Sequence, residues 1–174
     1  HLLFRERISL ADISEEVILV AHNLLPSEAL QMNKRMIQGI AMDAGGKTSH
    51  TAILARSFEI PAVLGLTNIC KNIHAGDTII VDGNSGTVIV DPNEETAAHY
   101  KQTQLEWEKR ETDLLTLNEL PAETKDGKRI LLKSNIEVAE EVDSVLSHGS
   151  DGVGLFRSEF LFLQSGGLAT EEMQ

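Results

Sequence analysis

The chain has 174 residues, 41% apolar and 24% charged, a balance typical of a soluble protein with one ordinary domain or a small domain plus part of another. A net charge of −12 disfavours binding to nucleic acid or to an anionic membrane surface, and 4% aromatic residues disfavour base stacking. No segment approaches the run of about 20 apolar residues that spans a bilayer, and residues 1–7 do not resemble a signal peptide. The one cysteine, Cys70, cannot form an intramolecular disulfide, which favours a reducing, cytoplasmic compartment, and we expect it to be a small core residue.

The first half of the chain predicts a compact α/β layer domain. Short apolar runs, of the kind that form buried strands, alternate with helical segments and with turn residues. These runs are residues 17–21, 36–42, 62–65, 78–82 and 87–90. The last two runs are joined by Gly83-Asn84-Ser85-Gly86, which predicts a β-hairpin. Helices are predicted over 26–33 and over 48–58, where Pro61 prevents the second from continuing.

The next segment predicts a long helix. Asp91 can cap it, Pro92 suits the first helical position and Glu94 the third. Apolar residues then recur seven positions apart, at Tyr100, Trp107 and Leu114. A stripe of this kind supports packing on one side only, so we interpret residues 93–120 as a linker helix between domains. The same pattern also fits an ordinary surface helix of the first domain.

The last part of the chain predicts a βαβ unit. A strand is expected at 129–134, a helix over 138–146 with Gly149 as its C-terminal cap, and a second strand at 151–155. Such a unit implies that the two strands pair in parallel. Because two parallel strands cannot bury both their faces, this part resembles the start of a larger α/β structure.

The most informative stretch comprises Gly45, Gly46, Lys47, Thr48, Ser49, His50 and Thr51. Glycines let the backbone approach a bulky anion, and the helix that follows directs N–H groups toward it. The hydroxyls of Thr48, Ser49 and Thr51 are expected around the entrance, with the positive charge of Lys47 beside them. His50 lies in the first turn of the helix, where added negative charge is stabilised, so these surroundings suit an imidazole that bears a phosphoryl group.

Three other kinds of site do not match this stretch. The glycine spacing and the residue order differ from those of a Walker loop, and adjacent Ser49 and His50 do not face each other as in a hydrolase triad. No metal-ligand partner stands at suitable spacing on the helix. On chemistry alone, His50 fits a capping or core histidine equally well. The remaining histidines stand singly in polar contexts and are assigned no role: His1, His22, His74, His99 and His148.

Two stretches carry a resemblance to a known family. Residues 45–56, followed by 60–65, resemble the phosphohistidine signature of the phosphoenolpyruvate-utilising enzymes, and residues 152–162 are similar to the signature at the start of their phosphoenolpyruvate-binding barrel. The resemblance covers essentially the whole chain and is closest to the Enzyme I group of the bacterial sugar phosphotransferase systems. A dikinase or phosphoenolpyruvate synthase, or a non-catalytic module that keeps only the fold, are the alternatives.

The resemblance implies an architecture and a reaction. Residues 1–92 correspond to a swivelling β/β/α phosphohistidine domain, residues 93–120 to the linker helix about which it moves, and residues 121–174 to the start of an incomplete (β/α)8 barrel. His50 Nε2 takes the phosphoryl group of phosphoenolpyruvate and passes it to a histidine of the carrier protein HPr. Arg157 matches an arginine that binds the phosphate of phosphoenolpyruvate, although on the pattern alone it fits a surface ion pair with Glu159.

The resemblance also sets limits. Mg²⁺ is expected as cofactor, with carboxylate ligands further along the barrel than Gln174, and dimerisation is expected only of the full-length protein. We therefore expect no autophosphorylation of this chain alone. Two positions depart from the family pattern: Ala29 stands where a threonine that hydrogen-bonds the active imidazole is often found, and Lys47 stands where arginine is frequent.

Overall fold

The computed structural model describes residues 10–25, 28–29, 31–46, 49–158 and 170–171. The chain is a mixed α/β protein that divides into two compact units, His1–Pro92 and Asn93–Gln174. We refer to them as the first and the second unit. A further boundary near residue 121 stays a prediction.

The first unit is built on a three-stranded parallel sheet with the order β1-β2-β3. Its strands are β1 (Val17–Ala21), β2 (Ile37–Met42) and β3 (Ala62–Leu64). The central strand β2 is buried at every position except Gln38, as expected for a parallel strand covered on both faces. Its side chains form the centre of a core whose largest fully buried side chains are Ile37, Ile40, Met42 and Leu54.

Helix α1 (His50–Ser57) packs on this core through one face. Its buried residues are Thr51, Ala52, Leu54 and Ala55. The helix ends because Glu59 adopts the left-handed conformation (φ 58°), so that its N–H bonds the Arg56 carbonyl and the Ile60 N–H bonds the Ala55 carbonyl. The predicted termination just before Pro61 is confirmed. A short helix, α2 (Ile69–Asn72), follows β3.

The remaining strands of the first unit form the predicted hairpin. Strand β4 (Ile79–Asp82) pairs antiparallel with β5 (Thr87–Val90). Asp82 fixes the turn because its carboxylate accepts hydrogen bonds from the backbone N–H groups of Asn84 and Ser85.

The helix predicted over 26–33 is shorter than expected. Glu28 and Ala29 are helical, whereas residues 31–33 form a turn, and Pro26, Ser27 and residue 30 lie outside the described residues. The Asn33 side chain donates to the Ile13 carbonyl and accepts from the Arg35 N–H. These bonds direct the chain into β2.

In the second unit, the long helix begins later than the sequence predicts. Helix α3 (Glu94–Leu115) is capped by Asn93, whose side chain accepts from the Thr96 N–H at 2.8 Å. The predicted cap at Asp91 is wrong, because Asp91 has a positive φ of 46° and not the extended backbone of a cap residue. No residue of α3 is buried, and Trp107 and Leu114 of the apolar stripe are about half exposed.

The predicted βαβ unit is present, with different bounds. Strand β6 (Ser134–Ile136) is followed by a 3-10 turn (Ala139–Glu141), helix α4 (Val142–Ser147) and strand β7 (Val153–Phe156), which pairs with β6 in parallel. The strand predicted at 129–134 is wrong, because the Leu132 N–H bonds the Asp151 carboxylate instead of a neighbouring strand. Gly149 terminates α4 with φ 70°, as predicted. Strand β7 is exposed along its whole length.

Candidate functional site

The carboxyl ends of the three parallel strands of the first unit meet at one edge of the sheet. His22 follows β1, the loop from Asp43 to Gly46 follows β2, and Gly65 follows β3. Ligands of open α/β sheets bind at this edge, because the loops that converge there can be varied without changing the core. The loops are in close contact, since a Cβ atom on Gly65 would lie 3.3 Å from the Gly45 carbonyl oxygen.

Gly45 shapes the loop that leads to α1. Its φ of 105° lies where a side chain is strained, and an added Cβ would contact Ser49 Oγ at 3.4 Å and Leu64 Cδ1 at 3.5 Å. At Gly46, in contrast, an added Cβ would have no atom of the described residues within 4 Å. The glycine needed for the close approach of the loop to the helix start is therefore Gly45.

His50 is the first residue of α1, and its side chain is exposed. Ser49 precedes it as the N-terminal cap: its side chain accepts from the Ala52 N–H at 3.3 Å, and its own N–H donates to the Gly46 carbonyl. The imidazole thus lies at the helix end that stabilises negative charge, next to a rigid turn. Lys47 and Thr48, predicted to support the same loop, lie outside the described residues.

Thr51 does not contribute a hydroxyl to the entrance. Its side chain is buried, and Oγ1 donates to the Leu24 carbonyl at 3.4 Å. The prediction for Thr51 is wrong because position 51 lies on the buried face of α1. Ala29 is fully enclosed, so a larger side chain at this position would need space within the core.

Asp43 is a buried carboxylate that the sequence analysis did not single out. Its Oδ1 accepts from the Ile69 N–H at 2.5 Å, and its Oδ2 lies 3.4 Å from His22 Nδ1. Burial alone would raise the pKa of Asp43, but the hydrogen bonds from Ile69, His22 and Cys70 outweigh it and hold the pKa below its ordinary value.

His22, to which the sequence assigns no role, is an exposed ring with Nδ1 3.4 Å from Asp43 Oδ2. Cys70 was expected in the core and is exposed, because Ile69 is the residue of α2 that faces the interior. The available signal was topological: residues 22 and 43 each follow a parallel strand, so they meet at the same edge.

Arg157 lies at the corresponding edge of the second unit. It follows β7, its N–H donates to the Ile136 carbonyl at 2.8 Å, and its Nη1 donates to Glu137 Oε1 at 2.9 Å. The partner that the structure shows is therefore Glu137, whereas Glu159, the partner considered from the sequence, lies outside the described residues. The Arg157 side chain is half exposed.

The described residues lack two features that would point to other functions. Among them, no cluster of three or more histidine, cysteine, aspartate or glutamate side chains is arranged to hold a metal ion. None of the helices in that same part of the chain combines the length and the apolar character needed to cross a membrane.

Two family descriptions match most of the chain. Residues 13–86 match "PEP-utilising enzyme, mobile domain", and residues 111–174 match "PEP-utilising enzyme, PEP-binding domain". The first match contains the loop and helix that carry His50, and the second contains β6, β7 and Arg157.

Curated relatives are similar over nearly the whole chain. The phosphoenolpyruvate-protein phosphotransferase of Bacillus subtilis is 42% identical over 174 residues, and that of Staphylococcus carnosus is 37% identical over 174 residues. Each alignment covers 100% of this chain and 30% of the relative. The enzyme of Priestia megaterium is 43% identical over 93% of this chain and 28% of its own length. The chain thus spans about a third of the length of these relatives.

A solved structure supports the same relationship. An NMR solution structure of Enzyme I is 50% identical, with a TM-score of 0.55, and the alignment covers 58% of this chain and 41% of that one. The two matched regions, the similarity of the whole of this chain to part of the phosphotransferases, and this shared fold agree with one another. The chain belongs to the phosphoenolpyruvate-utilising enzymes.

Proposed function

We propose that this chain is the phosphotransfer segment of a phosphoenolpyruvate-protein phosphotransferase, in which His50 accepts a phosphoryl group from phosphoenolpyruvate and passes it to HPr. The observation that carries the proposal is the position of His50. His50 is the first residue of a helix, and its imidazole is exposed. It lies at the carboxyl edge of a parallel sheet and directly follows a loop whose path requires glycine at position 45. The names of the relatives point to the same reaction.

The geometry suits transfer to a histidine. The N–H groups of the first helical turn have no acceptor within the helix, and together with the helix dipole they stabilise an anion bound there. Phosphoryl transfer depends mainly on positioning and on neutralising charge. Ser49 and Gly45 supply the positioning, because the cap and the constrained loop fix where α1 begins.

The reaction consists of two displacements. His50 Nε2 forms a P–N bond as the P–O bond of phosphoenolpyruvate breaks and enolpyruvate leaves with the bonding electrons. A histidine nitrogen of HPr then forms a new P–N bond as the bond to His50 breaks. The phosphoryl group is conserved through both steps, and no redox partner is needed.

Arg157 is proposed to bind the phosphate of phosphoenolpyruvate. A guanidinium group offers N–H donors in a planar fork that matches two phosphate oxygens. Its position after a parallel strand, with half of the side chain exposed, supports this role. Gly45, Gly46, Lys47, Thr48 and Ser49 are proposed to support the phosphohistidine loop.

The cofactor and the cellular context are proposals as well. Mg²⁺ is proposed as the cofactor, with carboxylate ligands further along the barrel than Gln174, as the resemblance implies. The full-length protein is expected to be a cytoplasmic dimer that acts in sugar transport. The 174-residue chain alone is expected not to autophosphorylate from phosphoenolpyruvate.

The test uses the full-length parent protein with labelled phosphoenolpyruvate, Mg²⁺ and purified HPr. We expect acid-labile, base-stable label that is lost in His50→Ala and kept in His74→Ala, a control at another exposed histidine of the first unit. Addition of HPr should then remove the label from the parent. Label that survives His50→Ala, or no label on any of the proteins, would favour a non-catalytic module that retains the fold.

A further inference from the structure

Glu137 and Arg157 are neighbours because of the register of the second sheet. Ile136, the last residue of β6, pairs with Phe156, the last residue of β7, and the strands are parallel. The residues that follow the two strands, Glu137 and Arg157, therefore lie beside each other at the carboxyl edge of the sheet. The hydrogen bond from the Arg157 N–H to the Ile136 carbonyl fixes this arrangement at the backbone level.

The two side chains differ in burial. Arg157 is 50% exposed, whereas Glu137 is 12% exposed, so the carboxylate lies on the interior side of the pair and the guanidinium faces outward. The contact joins one atom of each group, Nη1 and Oε1, at 2.9 Å. The other carboxylate oxygen, Glu137 Oε2, is buried and has no hydrogen-bond partner among the described residues.

The backbone of Glu137 is held independently of this contact. The N–H groups of Glu137 and Val138 both donate to Glu141 Oε2 at the start of the 3-10 turn. Loss of the ion pair would therefore leave the turn after β6 in place. The carboxylate of Glu137 is not needed to hold its own loop.

A second ion pair of the same unit provides a contrast. Arg129 Nη2 lies 3.3 Å from Asp151 Oδ1, at the amino edge of the two strands. The second oxygen of Asp151 accepts from the Leu132 N–H at 2.8 Å, so this carboxylate holds a loop. Glu137 Oε2 has no such bond within the described part of the chain, and the interaction of Glu137 with Arg157 is the one that a ligand could replace.

We propose that Glu137 is an internal competitor for the anion that binds Arg157, and that it lowers the affinity of this site for phosphate. The inference rests on the proposed function of Arg157. A carboxylate and a phosphate use the same donors of a guanidinium group, and a phosphate can engage two of them at once. Bound phosphate must displace the Glu137 carboxylate or remain close to its negative charge, and either outcome costs affinity.

Glu137 could also orient Arg157 in advance, which would have the opposite effect on affinity. We expect competition to dominate. The Arg157 backbone is already fixed by its bond to Ile136, and the phosphate itself orders the guanidinium plane through two-point binding. The orientation of Arg157 by Glu137 therefore adds nothing once phosphate is bound. The negative charge of Glu137, in contrast, still repels the bound phosphate.

The experiment is a titration of the 174-residue chain with inorganic phosphate. Binding is followed by the backbone amide NMR signals of residues 134–137 and 153–158. Four proteins are compared: the unchanged chain, Glu137→Gln, Asp151→Asn and Arg157→Ala. Asp151→Asn removes the same charge from the other ion pair, about 20 Å along the strand from residue 157. An isotope-edited spectrum of each variant establishes that the second unit remains folded.

We expect Glu137→Gln to bind phosphate about threefold more tightly than the unchanged chain, as for removal of a partly exposed ion-pair partner. Asp151→Asn should bind as the unchanged chain does, and Arg157→Ala should not bind. Unchanged or weaker binding by Glu137→Gln, with binding lost in Arg157→Ala, would overturn the competitor role and leave Arg157 as the phosphate ligand. Equal tightening in Asp151→Asn would also overturn it, because net charge would then explain the effect.

A different result would contradict the role of Arg157 itself as a phosphate ligand. If Arg157→Ala binds phosphate as tightly as the unchanged chain, or if no protein shows a titration, both the competitor role of Glu137 and the binding role of Arg157 are wrong. These results are distinguishable from unchanged or weaker binding by Glu137→Gln with binding lost in Arg157→Ala, which would overturn only the competitor role of Glu137.

Discussion

The two units of this protein hold a candidate phosphate-binding side chain in different ways. Each places a candidate phosphate-handling side chain directly after a parallel strand or at a helix that follows one: His50 in the first unit and Arg157 in the second. In the first unit the central strand β2 is buried on both faces. In the second unit strand β7 is exposed throughout.

This difference determines what holds each site. The loop before His50 is constrained by packing, since Gly45 lies against Ser49 and Leu64 and helix α1 is packed on the core. Among the described residues, Arg157 is constrained by a backbone hydrogen bond to Ile136 and an ion pair with Glu137. Packed contacts between apolar groups respond to changes of shape, whereas an exposed ion pair responds to changes of charge. Substitutions in the two units should therefore have different effects.

The largest expected effect tests the contrast in packing. Leu54 of α1 is fully buried, and Leu54→Ala should lower the free energy of unfolding of the first unit by about 2–5 kcal/mol. Leu155 of β7 is 49% exposed, and Leu155→Ala should change that of the second unit by no more than about 0.5 kcal/mol. Urea unfolding, followed separately by amide signals from each unit, measures both.

A large decrease in the free energy of unfolding for Leu155→Ala would contradict this contrast between the two units. It would mean that the apolar side chains of β7 are packed against a partner in solution. A small cost for Leu54→Ala would mean instead that the first unit has no tight core.

A smaller effect tests the backbone of the His50 loop. Gly45→Ala places a side chain at φ 105°, against Ser49 and Leu64, and should destabilise the first unit by about 1–2 kcal/mol. Gly46→Ala is the matched control, because Gly46 has no positive φ and no atom within 4 Å of an added Cβ. It should change stability by no more than about 0.5 kcal/mol. Thermal unfolding of both variants measures the difference, and equal costs would show that the loop takes another path in solution.

The smallest expected effect is a pH dependence of the first unit that appears only in acid. The pKa of Asp43 is lowered on folding, so its carboxylate contributes stability above the unfolded value of 3.8 and loses it as the pH falls through the lower, folded value. Asp43→Asn should therefore be less stable than the unchanged chain at pH 7. The gap should narrow below about pH 4.

Unfolding of both proteins over a series of pH values is the measurement. A gap that stays constant into acid would mean that Asp43 contributes by shape and hydrogen bonding alone. A gap that widens in acid would contradict the direction of the pKa shift.

Much of the local structure could be predicted because it depends on neighbouring residues. Strand β1, the β4–β5 hairpin, the end of α1 before Pro61 and the cap at Gly149 were all indicated by short patterns. The boundaries failed where a long-range bond competed with a local signal. Asp91 is a residue type that often caps helices, but its N–H donates to the Thr78 carbonyl and its φ of 46° lies outside the extended conformation of a cap, so Asn93 caps α3 instead. Residues near 132 have strand propensity, but Asp151 takes the Leu132 N–H.

The sequence by itself determined the α/β class, the position of His50 in the first turn of a helix, and the resemblance that leads to the family, since all three depend on residues close together in the chain. Only the tertiary structure decided which groups meet at the two carboxyl edges. His22 joins Asp43 across 21 positions, and Glu137 joins Arg157 across 20. The tertiary structure also decided that Thr51 faces the core and that Cys70 is exposed. Pairings and orientations of this kind depend on strand register and on the packing of one element against another, which no short sequence pattern contains.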